Sequence, residues 1–271
     1  MMYEFDHLQP VTVALRAMAG SVEIDAGDHE TVRVEVVPFT DSPASQQAAE
    51  NTRVVLDGDT LSVTVPHAER WRWRRTPALR ISIQVPAGST LTGESAAADV
   101  RATGSYRDVS LRLASADAHI AELAGNVRMT GASGDLSVGR VGGSASLKTA
   151  SGRINVGDVT GDVTVSTASG DIEVGSGGGS LNAGTASGRV TVGLLSQGKA
   201  RIRTASGDVT VGVAPGTGVW LDLNSVGGHS VTDLASHGAE APPSTGPGLD
   251  LRVRTASGDI RIHRATDRIA A

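Results

Sequence analysis

The chain has 271 residues, of which 39% are hydrophobic, 3% aromatic and 20% charged, with 34 glycines, no cysteine and a formal net charge of −5. Disulfides and thiolate metal sites are thereby excluded, and the modest acidity carries no nucleic-acid signature. With so few rings, any interior must be thin and built from Val, Ile, Leu, Ala and Thr.

The N-terminal stretch Met1-Met2-Tyr3-Glu4-Phe5-Asp6-His7 is acidic and lacks the basic start and unbroken apolar run of a secretory signal. No segment approaches the ~20 apolar residues that cross a bilayer as a helix. The expectation is a protein without a transmembrane segment, cytoplasmic as written, with envelope association as the alternative.

Residues 8–90 contain alternating runs such as Val11-Thr12-Val13-Ala14-Leu15, Val32-Arg33-Val34-Glu35-Val36, Leu61-Ser62-Val63-Thr64-Val65 and Ile81-Ser82-Ile83-Gln84-Val85. Alternation at period two predicts strands, but no strict spacing links them. Residues 1–90 therefore read as an irregular strand-rich cap, continuous with a repeat array and covering its open edges. The polar stretch Asp41–Asn51 reads as a loop or a short helix. Arg70, Trp71, Arg72, Trp73, Arg74 and Arg75 form the one chemically distinctive segment. Arginine forks hold phosphate or carboxylate, and tryptophan stacks or sits at a lipid interface. Two readings follow: a site for an anionic lipid or polymer, or a hairpin arm whose tryptophans pack while its arginines face water.

From residue 91 the pattern becomes periodic. Thr-Ala-Ser-Gly followed by Asp or Arg returns at Thr149, Thr167, Thr185, Thr204 and Thr255, the first steps being 18, 18 and 19 residues. Inside each step, apolar residues recur every nine positions: Leu136, Ala145, Ile154, Val163, Ile172, Leu181 and Val190, with a second column two residues on from Val138 to Val192. Each nine-residue half thus supplies a short strand with two inward side chains and then a bend. Two halves close one coil. The prediction is an all-β β-solenoid (β-helix) of about 18-residue coils, two short strands per coil, over residues 91–264, with a flexible insertion at 236–248 and a tail at 265–271.

Other coil types fail on the same residues. A hexapeptide helix would place Gly142, Lys148 and Thr160 in the apolar column, and a calcium-binding nonapeptide roll needs acids where Arg153 and Arg189 stand. The glycines read as corner residues. Asp135, Arg153, Asp171, Arg189 and Asp208 form a column of alternating charge on the rim, worth little in energy but able to fix register. Thr149, Thr167, Thr185 and Thr204 form another column near the corner.

None of the seven histidines stands at metal-ligand spacing, and no nucleophile elbow or paired-carboxylate cleft is visible. No metal, no cofactor and no catalytic residue are expected. The reading is a non-catalytic scaffold or binding protein for an unknown protein or polymer partner, able to self-associate, with nucleic acid disfavoured and a polysaccharide-acting enzyme the least favoured alternative.

The segments Thr167–Gly175 and Thr204–Gly212, together with Ser21-Val22-Glu23-Ile24 and Val32-Arg33-Val34-Glu35-Val36, resemble the bacterial putative-adhesin family of unknown function, β-strand-repeat proteins that include LiaG-like and LiaX-like envelope-stress proteins. The resemblance spans nearly the whole chain. It implies a surface or adhesive role, and offers the Arg70–Arg75 segment a place in an envelope-stress response.

Overall fold

The computed structural model describes residues 1–66, 77–234 and 248–265. The chain divides into two compact units, Met1–Gly139 and Arg140–Ala271. Both are built almost wholly of strand, as the alternation of apolar and polar residues predicts.

The first unit contains β1 (Met2–Phe5), β2 (Thr12–Gly27), β3 (Val32–Pro38), helix α1 (Pro43–Asn51), β4 (Arg53–Asp57), β5 (Thr60–Thr64), β6 (Leu79–Pro86), β7 (Ser89–Ser115), β8 (Ala118–Leu123) and β9 (Val127–Ser133). Parallel stacking reaches back to β2, which pairs with β7 from Thr12↔Thr90 to Ala26↔Gly104. Beyond β7 the 18-residue step sets the register, Val100 facing Ala118 on β8 and Val109 facing Val127 on β9. On its other side β2 pairs with two separate strands, Thr12–Arg16 with β5 and Gly20–Gly27 with β6. β2 therefore lies inside a coil made from residues that follow it in the sequence.

Antiparallel strands close that coil. β4 pairs with β5, β3 with β6, and β1 with β3. The polar stretch ahead of β4 resolves as α1, whose N-cap Ser42 accepts the Ser45 N–H at 3.1 Å with Pro43 beginning the first turn. Its buried residues Ser45, Ala48 and Ala49 lie against β3 and β6.

In the second unit, after β10 (Leu136–Val141), come β11 (Ala145–Ser151), β12 (Ile154–Val159), β13 (Val163–Ser169), β14 (Ile172–Gly177), β15 (Leu181–Ser187), β16 (Val190–Leu195), β17 (Gly198–Ser206) and β18 (Val209–Val213). Odd and even strands form two parallel ladders, with Thr149↔Thr167↔Thr185↔Thr204 on one and Ile154↔Ile172↔Val190↔Val209 on the other, the register slipping only between Val192 and Leu195 where β16 meets β18. The last four strands depart from chain order. β19 (Gly218–Ser225) and β20 (Ser230–Thr232) do not stack on β17 and β18; that place belongs to β21 (Gly248–Ser257) and β22 (Ile260–Arg264). β19 pairs with β21 and β20 with β22, on the far side. The final coil in the sequence is thus the second-to-last in the ladder.

The corner motif explains the choice. Thr255-Ala256-Ser257-Gly258-Asp259 matches Thr204-Ala205-Ser206-Gly207-Asp208 residue for residue, whereas Asn224–His229 does not. Gly170 shows why the motif is strict: its φ is 147°, and a Cβ there would collide with the Gly152 carbonyl oxygen of the preceding coil.

Candidate binding surfaces

Among the described residues, the interior of the second unit's coils is filled. Ile154, Ile172, Val190, Val209 and Ile260 are at most 1% exposed, and the parallel column from Leu147 to Val253 is equally closed. Tyr106, fully buried in the first unit, donates its hydroxyl to the Ile24 carbonyl at 2.9 Å, and burial pushes its ionisation well above the ordinary phenol range. The strand period presents the outward side chains in rows, and these are the candidate contact surfaces.

Of the residues singled out by sequence, Arg70, Trp71, Arg72, Trp73, Arg74 and Arg75 lie outside the described residues, as do residues 236–247 of the insertion and 266–271 of the tail. The rim column is placed at the strand corners. Within the second unit Arg153, Asp171, Arg189 and Asp208 follow one another at successive corners, and Asp135 occupies the same corner position in the first. The carboxylates do more than alternate with cations. Asp171 accepts the backbone N–H of Arg189 at 2.8 Å, and Asp208 accepts that of Asp259 at 2.9 Å. In the first unit Asp99 accepts the N–H of Asp117, and Asp117 that of Asp135. Each is a staple from one coil to the next, formed equally well under an acid or a base. Three acids spaced by 18, at 99, 117 and 135, carry the sequence signal for this role, since charge pairing alone would not stack them.

The threonine column is buried, at 4–8% exposure, but its hydroxyls do not run from one threonine to the next. Thr185 donates to the Gly170 carbonyl at 3.2 Å and Thr167 to those of Ser169 and Gly152 at 3.2 and 3.4 Å. The bonds go to backbone carbonyls at the corners.

One cleft on the outward face of the first unit was not anticipated. Register places Arg16 beside Thr64 on β5 and Glu94 on β7, and Arg112 donates to Glu94 at 3.4 Å. Around this charged row, Ala17, Met18, Val65, Pro66 and Leu113 form an apolar wall enclosing about 540 Å³, within the size range of ligand-binding clefts. Elsewhere on β2, Asp25 accepts hydrogen bonds from Thr103 and contacts His29, each at 2.8 Å. The His29 imidazole, helped by the Thr103 hydroxyl, holds the Asp25 carboxyl below its ordinary range. Among the described residues no group of three or more His, Asp or Glu gathers to hold a metal, and no helix is long and apolar enough to cross a membrane.

A family model described as Toastrack DUF4097 matches residues 12–263. Among solved structures, one described as a putative adhesin from Bacteroides fragilis covers 97% of this chain and 96% of its own at 11% identity with a TM-score of 0.51. Another, described as a putative lipid binding protein from Parabacteroides distasonis, covers 98% and 96% at 11% identity with a TM-score of 0.43. The first of these likenesses is one of fold. Among curated proteins none shows significant similarity to the chain.

Proposed function

The chain belongs to the Toastrack DUF4097 family, and from that premise we propose that it is a non-catalytic β-solenoid binding protein, presenting regular outward faces to a polymer or an extended protein segment. The observation that carries the reading is the contrast between a filled interior and the outward cleft around Arg16, Glu94 and Arg112. An apolar wall beside a charged row suits a ligand that is amphipathic and lies along the strands. The adhesive description of the B. fragilis structure accords with a role in contact rather than turnover.

Hydrogen exchange in the presence of candidate polysaccharides and extended peptides tests this. Binding should protect amides of β2, β5 and β7 around the cleft, and Ala96→Arg, which places a long side chain into its lining, should abolish the protection. Saturable turnover of any ligand, lost on a single substitution, would overturn the non-catalytic reading.

A second reading is attachment to an anionic lipid or polymer through Arg70–Arg75, as part of an envelope-stress response. It is favoured by one observation: Pro66, which lines the cleft, directly precedes the segment 67–76. Flotation with anionic vesicles, comparing wild type with Arg72→Glu/Arg74→Glu, decides it, unchanged flotation removing this site.

A further inference from the structure

One outward face of the second unit is electrostatically unlike the others. Register sets Arg201 beside Arg252 and Arg203 beside Arg254, on β17 and β21. Residues two apart share a face, so the four cations form a two-by-two array with rows about 4.8 Å apart across the strands. Like charges directly opposite one another destabilise a sheet, and here the mismatch occurs twice in adjacent rows.

The neighbouring strands offer little relief. On β15 the facing residues are Asn182 and Gly184, and on β19 they are Asp222 and Asn224. Arg252 is held in place, donating to Asp250 at 3.1 and 3.2 Å and lying 5.1 Å above the Trp220 ring. Arg201, Arg203 and Arg254 are exposed and have no ion-pair partner among the described residues. With Lys199, five cations face only Asp222 and Asp250, leaving three positive charges uncompensated in a chain of net charge −5.

Between these side chains and Ile202 lies a cleft of about 60 Å³. A space of that size holds several waters and admits a small oxyanion. A carboxylate is satisfied by a single arginine fork, whereas three exposed forks beside a fourth arginine held by Asp250, all lining one space, match an anion with more oxygens and more than one charge. We propose that Arg201, Arg203, Arg252 and Arg254 form a phosphate-binding site, taking a phosphate monoester or pyrophosphate group either free or borne on a lipid headgroup. The site is independent of the cleft in the first unit, and its failure would leave the proposed function untouched.

The experiment is titration calorimetry at low salt with inorganic pyrophosphate, run beside flotation with phosphatidylcholine vesicles containing phosphatidic acid. Arg203→Gln/Arg254→Gln should weaken pyrophosphate binding at least 10-fold, and Arg203→Lys/Arg254→Lys severalfold, because the charge stays while the fork is lost. Arg101→Gln/Arg128→Gln, exposed in the first unit, should change it less than twofold. Without ligand, the double glutamine variant should melt about 1–2 °C higher than wild type, since it relieves repulsion. Binding of pyrophosphate alone identifies a soluble source, and binding of phosphatidic acid vesicles alone a lipid source. Binding of neither, or equal binding by wild type and the lysine or glutamine variants, overturns the site.

Discussion

In Met1–Gly139 the outer coil is made of β5 and β6, and each carries an antiparallel partner beyond it, β4 on β5 and β3 on β6. In Arg140–Ala271 the outer coil is β19 and β20, which among the described residues pair only with β21 and β22. The packing follows the pairing. Leu79, Ile81, Ile83 and Val85 of β6 are at most 2% exposed, while Val219, Leu221 and Leu223 of β19 are half-buried and Trp220, Val226 and Val231 are exposed. A parallel ladder has no natural stop, because every strand added presents the same unpaired edge. Reversing strand direction ends it in the first unit; in the second, a weak coil is laid over a strong one.

The widest separation between the two arrangements should come from burying charge. Ile260→Asp puts a carboxylate in the inner coil of the second unit, where Ile260 is 0% exposed, and should cost more than about 4 kcal/mol or prevent folding. Leu221→Asp, in the coil above it, should cost about 1 kcal/mol. Similar denaturation midpoints for the two would show that β19 is not the weaker coil.

Corner substitutions sharpen the comparison next. Gly170→Ala should lose about 3 kcal/mol, since the residue must keep φ at 147° with a carbonyl against its Cβ. Gly58→Ala, in the β4–β5 hairpin at φ 54° with open space around it, should lose about 1 kcal/mol. Thermal unfolding of both checks whether stacking or turn geometry makes the corner glycines strict.

A smaller effect tests the staples. Asp171→Asn removes a charge but keeps the acceptor for the Arg189 N–H and should be nearly neutral, whereas Asp171→Leu should lose about 1 kcal/mol. The reverse order would restore charge alternation as the cause of register.

The smallest effect concerns pH. Because the Asp25 carboxyl is held below its ordinary value of 3.8, its contribution is full above that pH and is lost as pH falls through the lower folded value. Asp25→Asn should lower stability modestly at neutral pH and progressively less as pH falls below about 4, flattening the acid limb of the profile, as urea unfolding across pH would report.

The central coils were legible because nothing competes there. When one face of each strand is buried and the step is 18, Ile154, Ile172 and Val190 can occupy only one column, and a slip would expose them. Coil order at the far end was harder to read, because Val219–Leu223 alternates as well as Leu249–Val253 does. What separates them is the corner motif at Thr255, a signal present in the sequence and available to any reading that asks which corner continues Thr204. The inner position of β2 has no such mark. Thr12–Leu15 and Leu61–Val65 are interchangeable as patterns, and tertiary packing alone orders them. The arginine array was hidden because its members are about 50 residues apart in the chain, 201 and 203 against 252 and 254.

Synthesis from the N-terminus gives the swapped coil order a kinetic consequence. β19 and β20 leave the ribosome before the strands they pair with exist, while the exposed edges of β17 and β18 stand ready beside them. Residues 248–264 follow after about one to three seconds of elongation beyond residue 247, and must then claim those edges for themselves. The intact Thr255–Asp259 corner equips them to win that contest, so the later-made segment would act as a wedge, displacing a mispaired predecessor from the edges of β17 and β18.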